Sequence, residues 1–546
     1  MSTALATPWI AIALIAGTPL AQVLPQHARA EINDSRSHGQ VGDNFLSLNE
    51  AIELNNGTIT IAQLSAAEYA QINGFGDVAY ASIDWFRTPL VTLERDLDII
   101  LETSHGLTIG NTGGKLPTID FKNFQGFRAY GGFLGFKSLH LKGGNVGVTI
   151  IQDDAVYGAS VDACVFDGQV TCGVHVIFAT DATPTASKNS RLDFSRNVYT
   201  GLPQAVLVED LGKDRTGQVT IFDERVQNCG LGFGIVLNGQ GGDMVFDFDH
   251  MVVESTPSAF NIVRTVATAT RKVKLENRHM VLSNVNDGFR YIGSATATSE
   301  LLFLACDLSA STVALDIGPA TANCKLTMRD SRLAGPISIT AGGSASQVTL
   351  ENVRAKNGAW SIGSTGGSLL VKDTILDAIQ IQTSGTAPLQ LDDVRFVGGS
   401  VAGTAAAPVL VSNSFIGTAQ LGTNTSTSGS LPAAQLGSCD ITPLAPTIGQ
   451  PLSLNADLPQ GLVGFWILGR VSFSPITLPE FRVYFDLFEY FSIPTPVRLQ
   501  QKLVIPIPPD PGLITYDGFA QLAIVHDPGV LAPTLNLAPG RRFMIQ

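Results

Sequence analysis

The sequence has little charge for its length, and the charge that it has is mostly negative. Only 15% of its 546 residues are charged, and 47 acidic residues against 34 basic ones give a net charge of −13. Binding to nucleic acid relies on basic side chains that neutralise phosphates, and the chain has no basic run of any length. Nucleic acid is therefore excluded as a partner.

Cysteine is also scarce and is not arranged for metal binding. Six cysteines are scattered along the chain, with no C-x-x-C pair and no histidine at the spacing of a zinc finger. We therefore predict no zinc site, and we expect most of these thiols to be buried among apolar residues. A disulfide between Cys164 and Cys172 is the alternative in an oxidising compartment.

Long hydrophobic runs are missing as well. The apolar stretch from Trp9 to Ala16 is too short to cross a bilayer, and an A-x-A triplet follows it at Ala28 to Ala30. Together they predict a secretory signal peptide over residues 1–30, although no Lys or Arg precedes the apolar stretch. We expect the mature chain to have no transmembrane span and to be secreted, either released into the medium or held at the cell surface.

What the sequence has in abundance is glycine, with 55 residues, and short segments in which apolar and polar residues alternate. Such segments predict many short strands joined by tight turns. A chain of this length exceeds one ordinary core unless the core grows by repetition. The clearest segment is KLTMRDSRL, Lys325 to Leu333, which predicts a strand that bends at Asp330.

Copies of this segment return along the chain, and each has a bend residue in the place of Asp330. The copies bend at Asp223, His250, Asn277, Cys306, Asn352, Asp373, Asp393 and Asn413, with weaker copies near Gly143, Asp167 and Arg196. The interval is 27 residues between the first two bends and 20 between the last two. Repeats this short cannot bury an apolar face alone, so they must stack on their neighbours. The short polar side chains at the bends are predicted to be structural, because they bond to nearby backbone at a corner.

This pattern resembles the right-handed parallel β-helix, or pectate-lyase-like, superfamily over residues 96–421. The resemblance implies a fold and leaves the chemistry open. Near the front, SLNEAI followed by NNG resembles the CSLREA-type segment of secreted and surface bacterial β-helix proteins. Leu46 stands in place of the motif's Cys and Asn49 in place of its Arg. This second resemblance implies an exported β-helix.

Both ends of a solenoid need caps, because a stack of strands otherwise leaves an open apolar end. Ser47 with Glu50, and Ser65 with Glu68, fit the capping-box pattern and predict two short helices. After the β-helix the sequence changes to a linker of small residues and then to strands separated by Pro and Gly. The predicted fold class is all-β, with the divisions 1–30 signal peptide, 31–95 cap, 96–421 right-handed parallel β-helix, 422–438 linker and 439–546 antiparallel β-sandwich.

The longest repeats carry the residues that could support chemistry. With a constant 27-residue register, Asp247 and Asp249 share one outward face about 7 Å apart, and Glu276 stacks about 4.8 Å from Asp249. Stacked carboxylates repel, so the cluster predicts a bound cation, a raised pKa or a basic neighbour. One hypothesis makes Asp247, Asp249 and Glu276 ligands of calcium and catalytic groups, with Lys274 or Arg278 as the base. The alternative is that the charged residues at these outward positions are ordinary polar residues of a solvated sheet.

Two histidines lie near these carboxylates in sequence. His250 falls on the bend series, and His279 lies just after it, so we predict turn or surface roles for both. Neither strengthens the hypothesis of an enzyme.

Two classes of function fit the sequence. The first is a scaffold or adhesion protein that binds an extended glycan or another surface polymer without catalysis. The second is a polysaccharide lyase or glycoside hydrolase that uses the carboxylates, although the chain lacks the paired Asp-Asp with G-H-G and the R-I-K signatures. A phage-type receptor-binding spike is a third, which the predicted signal peptide disfavours. The two main classes differ in whether the three carboxylates converge in a groove beside a base.

Overall fold

The computed structural model describes residues 29–545 with short gaps. The gaps cover residues 74–81, 101–105, 112–115, 131–132, 153–156, 179–187, 212–214, 241, 265–270, 294–296, 319–322, 415, 429–437, 444–445, 459–462, 478–481, 493–499, 510–516, 527–533 and 538–540. The predicted signal peptide lies outside the described residues, except for Arg29 and Ala30, which begin the first strand. Within the described ranges, no helix is both long enough and apolar enough to cross a bilayer.

Two short helices close the N-terminal end, as predicted. The elements of this cap are β1 (Arg29–Ile32), α1 (Leu48–Asn55), a 3-10 turn (Ile61–Gln63), α2 (Ala66–Tyr69) and β2 (Ile72–Asn73). The hydroxyl of Ser47 accepts from the Glu50 backbone N–H at 3.2 Å, and the Glu50 carboxylate accepts from the Ser47 N–H at 2.8 Å. Ser65 and Glu68 repeat this arrangement at α2. Both capping boxes are confirmed, and each satisfies two backbone donors that the helix itself leaves open.

The central region is a parallel β-helix. In chain order its strands are β3 (Ser82–Phe86), β4 (Leu90–Thr92), β5 (Leu97–Ile100), β6 (Gly106–Gly110), β7 (Thr118–Asp120), β8 (Phe127–Tyr130), β9 (Phe133–Lys137), β10 (His140–Lys142), β11 (Val146–Gln152), β12 (Tyr157–Asp162), β13 (Val165–Asp167), β14 (Cys172–Phe178), β15 (Lys188–Ser195), β16 (Val198–Thr200), β17 (Gln204–Asp210), β18 (Arg215–Phe222), β19 (Arg225–Gln227), β20 (Leu231–Leu237), β21 (Asp243–Asp249), β22 (Val252–Glu254), β23 (Ser258–Val263), β24 (Lys272–Arg278), β25 (Val281–Ile292), β26 (Ser299–Leu304), β27 (Asp307–Ile317), β28 (Cys324–Arg329), β29 (Arg332–Ala334), β30 (Ile337–Ala341), β31 (Gln347–Glu351), β32 (Arg354–Ser364), β33 (Ser368–Gly385), β34 (Leu389–Ala402), β35 (Val409–Ser412), β36 (Gln420–Leu421) and β37 (Thr425–Ser428). Strand β37 pairs with β35, so the solenoid continues to Ser428, inside the segment predicted as a linker.

The strands pair in three parallel stacks, one on each side of the solenoid. The first stack begins with β3, β6 and β9, the second with β4, β7 and β10, and the third with β5, β8 and β11. The same threefold order continues along the chain, and the long strand β33 runs through all three stacks. Each turn therefore lays its strands directly beside those of the turn before, as the repeats predict.

Inward side chains of the three stacks form one continuous apolar core. In the third stack Phe233, Phe260 and Phe289 lie on successive turns, with ring centroids 4.9 Å apart in the first pair and 5.4 Å apart in the second. Burying a side chain of this size contributes about 1.5–3 kcal/mol. Much of that contact is with neighbouring turns, so a single repeat could not gain it alone.

From β9 onward, the residue that follows the first-stack segment of each turn has a left-handed backbone conformation. These residues are Ser138, Ala163, Arg196, Asp223, His250, His279, Ala305, Asp330, Asn352, Asp373, Asp393 and Asn413, with φ between 50° and 57°. We call this row the corner column. Asp and Asn adopt this conformation more readily than most residues, because their short side chains bond to local backbone. The weaker copies predicted near Gly143 and Asp167 fall after the next stack; the corner residues of those turns are Ser138 and Ala163.

Two other members of the predicted bend series are wrong by one or two residues. Asn277 points inward from β24, is fully buried, and donates to the Leu302 carbonyl at 3.0 Å. The corner of that turn is His279, because the turn has 29 residues and the predicted period has 27. Cys306 is also buried, and Ala305 takes its corner.

One position past the corner, inward polar side chains accept backbone N–H groups of the preceding turn. The pairs are Asn197 with the Cys164 N–H at 2.8 Å, Glu224 with the Asn197 N–H at 3.2 Å, Ser331 with the Cys306 N–H at 3.1 Å, and Ser414 with the Val394 N–H at 2.9 Å. A buried N–H without a partner is costly, so these contacts allow the chain to bend inside the core.

The cysteines whose side chains are described are free thiols, as expected for buried apolar residues. They are Cys164, Cys172, Cys229, Cys306 and Cys324, and all are buried. Burial raises the pKa of Cys164, Cys172 and Cys306 to about 12. Such thiols carry almost no thiolate at neutral pH and are chemically inert. The side chain of Cys439 lies outside the described residues.

The C-terminal region has two antiparallel sheets. Its strands are β38 (Ser438–Thr442), β39 (Pro451–Asp457), β40 (Val463–Thr477), β41 (Arg482–Ser492), β42 (Gln500–Pro506), β43 (Asp517–His526), β44 (Thr534–Leu537) and β45 (Arg541–Met544). One sheet contains β38, β39 and β42, and the other contains the remaining strands. Buried residues from both, including Leu454 and Trp466, form one apolar cluster. The antiparallel pairing is as predicted, and the sandwich stays a prediction.

We expect Asp393 in the corner column to make folding stability depend on pH. Burial and the neighbouring Asp373 carboxyl raise the pKa of Asp393 to about 7. A carboxyl whose pKa is higher in the folded than in the unfolded chain contributes stability below about pH 4, and this contribution is lost as pH rises towards 7. Replacing Asp393 by Asn, which keeps the left-handed corner, should raise the unfolding free energy by ~1–2 kcal/mol at pH 8 and leave it almost unchanged at pH 4.

The measurement is urea unfolding of the full chain at several pH values from 4 to 8. Asp377→Asn, which removes one negative charge on the neighbouring stack, is the control for net charge. An equal gain in both variants, or a gain in Asp393→Asn that does not change with pH, would contradict the prediction.

Candidate functional site

The five residues predicted for a site lie on outward positions of two paired strands. Asp247 and Asp249 project from β21, and Lys274, Glu276 and Arg278 project from β24. Buried residues alternate with them along both strands, because successive side chains of a strand point to opposite faces. The structure therefore places Asp247, Asp249, Lys274 and Glu276 outward on the first stack, as the sequence predicts, and Arg278, which follows the predicted bend at Asn277, lies on the same face.

The predicted register between the two strands is wrong by two residues. Asp247 pairs with Glu276, and Asp249 pairs with Arg278. The constant 27-residue period had placed Glu276 beside Asp249. The longer turn between β21 and β24 moves β24 by two positions, which keeps the same residues outward but exchanges their neighbours.

The paired carboxylates of Asp247 and Glu276 are bridged by a guanidinium. One terminal nitrogen of Arg278 lies 2.7 Å from Oδ1 of Asp247, and the other bonds to Glu276. The ammonium of Lys274 contacts the second oxygen of Glu276. Two cations therefore neutralise two carboxylates that the sheet places side by side. This was one of the outcomes expected for stacked acids.

The two carboxyls of this pair differ in pKa. Burial raises the pKa of Asp247, and Arg278 opposes this only in part. Burial acts in the same direction on Glu276, but the Lys274 and Arg278 contacts outweigh it and lower the pKa. Asp247 is therefore the member that takes up a proton first as pH falls. Neighbouring carboxyls whose pKa values are pushed apart are a known arrangement for acid–base catalysis.

Asp249 belongs to a different cluster. Its Oδ1 lies 2.8 Å from Nδ1 of His279 and 2.9 Å from Nδ1 of His250. Burial opposes ionisation of Asp249, but these two histidines outweigh it and hold the pKa well below its usual range. The three predicted calcium ligands are thus divided between two clusters, and Arg278 already supplies a cation to Asp247 and Glu276. The calcium hypothesis stays a prediction.

A groove lies next to these residues and extends beyond the turns on which the sequence favours one. It has a volume of about 310 Å³ and crosses β24, β26 and β28. Its lining residues are Lys274, Leu275, Glu276, Glu300, Leu301, Leu302, Lys325, Thr327 and Arg329. The sequence favours a groove on the longest repeats, which are predicted to bend at Arg196, Asp223, His250 and Asn277. The segment SELLFL places Glu300 outward on the next turn. With the actual turn lengths, the sequence would have predicted that the groove continues across this strand.

Charges alternate along this groove. Lys274, Glu300 and Lys325 lie side by side on three successive turns. Neighbouring turns are about 4.8 Å apart, so the row presents a charge of alternating sign at that spacing. Arg329 borders the row and pairs with Glu351 at 2.9 Å.

No protein-family model matches the chain, and no curated protein matches it either. The parallel β-helix therefore rests on the strand pairing itself, and a fold of this kind hosts unrelated activities. The pectate-lyase-like and CSLREA-type resemblances stay hypotheses drawn from the sequence.

The bridging role of Arg278 can be tested through stability. In Arg278→Ala, Asp247 and Glu276 keep their adjacent positions but lose the guanidinium between them. We expect the unfolding free energy at pH 7 to fall by ~1–2 kcal/mol, since all three groups are partly exposed to solvent. The loss should shrink as pH falls, because removing the arginine raises the pKa of Asp247 further and favours its protonated form.

Urea unfolding at pH 7 and pH 4 measures both effects. Arg191→Ala is the matched control, because Arg191 makes a single exposed pair with Asp193 at 2.9 Å on the same stack. Equal losses in the two variants at both pH values would show that Arg278 is an ordinary surface arginine.

Proposed function

We propose that this protein is a secreted or cell-surface β-helix scaffold that binds an extended glycan or surface polymer in the groove of the first stack. The observation that carries the proposal is the row Lys274, Glu300 and Lys325 on three successive turns. A groove built from stacked strands repeats its contacts at a constant spacing, which suits a polymer whose own groups repeat.

The chemistry of the groove favours an acidic polysaccharide. Lys274, Lys325 and Arg329 supply donors for carboxylates, and the Thr327 hydroxyl can bond to sugar hydroxyls. The half-buried Leu302 supplies an apolar patch on the groove floor for the face of a sugar ring. Binding at an exposed groove requires no reacting group.

Export and family membership are part of the same proposal. The signal-like segment over residues 1–30 and the CSLREA-type segment support secretion, and the repeat pattern supports a right-handed helix of the pectate-lyase-like superfamily. The β-sandwich proposed for residues 439–546 follows the solenoid in sequence.

Ion pairing supports binding over catalysis. Asp247 and Glu276 are held by Arg278 and Lys274, and Asp249 is held by two histidines. A general acid or base has to reach the substrate's proton, and paired carboxylates are less available for that.

A lyase or glycoside hydrolase is the second candidate, and one observation favours it. Asp247 and Glu276 are paired across the strands, and their pKa values shift in opposite directions. In this hypothesis Asp247 is the acid, Glu276 is the charged partner, and Lys274 or Arg278 serves as the base of a lyase.

The binding proposal predicts selective retention of uronate polymers. In affinity electrophoresis through polygalacturonate, alginate or neutral glucan, the full chain should be retarded by a uronate polymer, and more weakly as salt increases. Lys325→Ala combined with Arg329→Ala should weaken binding by at least about tenfold, because two charged hydrogen-bond donors are lost. Lys356→Ala, which removes an exposed lysine from the second stack, is the control. Retention that is equal in all three proteins would contradict the proposal.

The catalytic candidate is tested with the same polymers. We expect neither new reducing ends nor ultraviolet absorbance from an unsaturated uronide, with or without added calcium. Product formed by the wild type and abolished in Asp247→Asn or Glu276→Gln would establish the enzyme and reject a purely binding role. A requirement for calcium that is lost in Asp249→Asn would support the predicted calcium site.

A further inference from the structure

Asp249, His250 and His279 converge at the corner column between two successive turns. Asp249 is the last residue of β21, His250 is the corner that follows it, and His279 is the corner of the next turn. One ligand atom from each residue lies within 4.8 Å of the others. Within the part of the chain that the structure describes, this trio is the group with such a donor set.

The distances fit a small metal ion. Nδ1 of His279 and Nδ1 of His250 lie 2.8 Å and 2.9 Å from the same oxygen of Asp249. Ligands at about 2.0–2.1 Å from a tetrahedral zinc ion are about 3.3 Å from one another. To admit the metal, each of the two nitrogen–oxygen distances has to lengthen by about half an ångström; the two nitrogens already lie within 4.8 Å of each other.

The contact between His250 and Asp249 supplies a second observation. His250 is 5% exposed, and its Nδ1 has no aligned hydrogen bond although Asp249 Oδ1 is 2.9 Å away. A buried ring nitrogen normally has a partner. Here His250 Nδ1 and Asp249 Oδ1 are close, but they are not aligned for a hydrogen bond. Two atoms that bind the same metal ion have this arrangement.

Packing fixes both imidazole rings. The ring centroids of His250 and His279 are 4.6 Å apart with 27° between the planes, and Phe222 contacts the edge of His250 at 5.3 Å. His279 is 2% exposed. Rings that are held in place in this way lose little further freedom when an ion binds.

We propose that Asp249, His250 and His279 bind a divalent transition-metal ion of the zinc class and that the ion links two successive turns. Two imidazole nitrogens and one carboxylate suit such an ion, whereas calcium prefers oxygen ligands only. Asp249 is the most exposed of the three, with 25% of its side chain accessible, so water completes the coordination on that side. This site is independent of the polymer groove.

The experiment uses the full chain without a histidine tag, stripped of metal by a chelator. Titration with Zn²⁺ in a calorimeter should give one saturable site, and Zn²⁺ should raise the melting temperature. His250→Asn and His279→Asn should each lower the affinity by more than the roughly 10- to 100-fold that loss of an outer-shell partner costs. Asn suits the left-handed corner, so these variants are expected to fold.

The matched control is His175→Asn. His175 forms a surface pair with Glu209 at 2.8 Å on the third stack, so this variant should bind Zn²⁺ as tightly as the wild type. No saturable binding by the wild type, or equal affinity in all three variants, would overturn the proposal.

Substitution of Co²⁺ for Zn²⁺ tests the site in the unaltered chain. Intense visible ligand-field absorption would indicate four-coordinate cobalt with protein ligands and support the site. The weak spectrum of six-coordinate aqueous cobalt would overturn it, whether or not the asparagine variants fold.

Discussion

The structure depends on a corner at the end of the first stack, which recurs on every turn from β9 to β35. At His250 and His279 the backbone enters the left-handed region, and the corner N–H donates to the last carbonyl of the next turn's strand, at 3.1 Å and 3.0 Å. A turn can bend there only because its neighbour accepts that bond. The corner therefore determines where each strand ends and which residues lie beside each other on the outward face.

This constraint explains which parts of the fold the sequence predicts. Asp330, Asn352 and Asn413 mark their corners, because their side chains favour a left-handed conformation. Ala305 occupies the same position without that preference. His279 was missed because its turn has 29 residues and the predicted period has 27, so that Asn277 looked equally suitable. The corners could therefore be counted from sequence, but not all of them could be placed.

An error of two residues has different effects on the core and on the surface. It preserves the alternation of inward and outward residues, so Leu275 is assigned to the core with either register. On the outward face it changes every neighbour. In the actual register, Asp247 lies beside Glu276 and contacts Arg278, whereas Asp249 contacts the two histidines. The members of the candidate site could therefore be predicted, whereas its two clusters required the actual turn lengths.

The backbone alone does not account for the two histidines. A left-handed corner is occupied at least as well by Asp, as at Asp223, and Ala305 shows that no polar side chain is needed there. Histidines on consecutive turns therefore contribute through their rings, which stack on each other and direct their Nδ1 atoms towards one carboxylate. Ligands that are 29 residues apart in sequence have none of the spacing by which zinc sites are recognised. In a solenoid, residues one full turn apart in sequence are neighbours in space. A metal site of this kind is therefore recognised from the length of the turn and not from a short sequence motif.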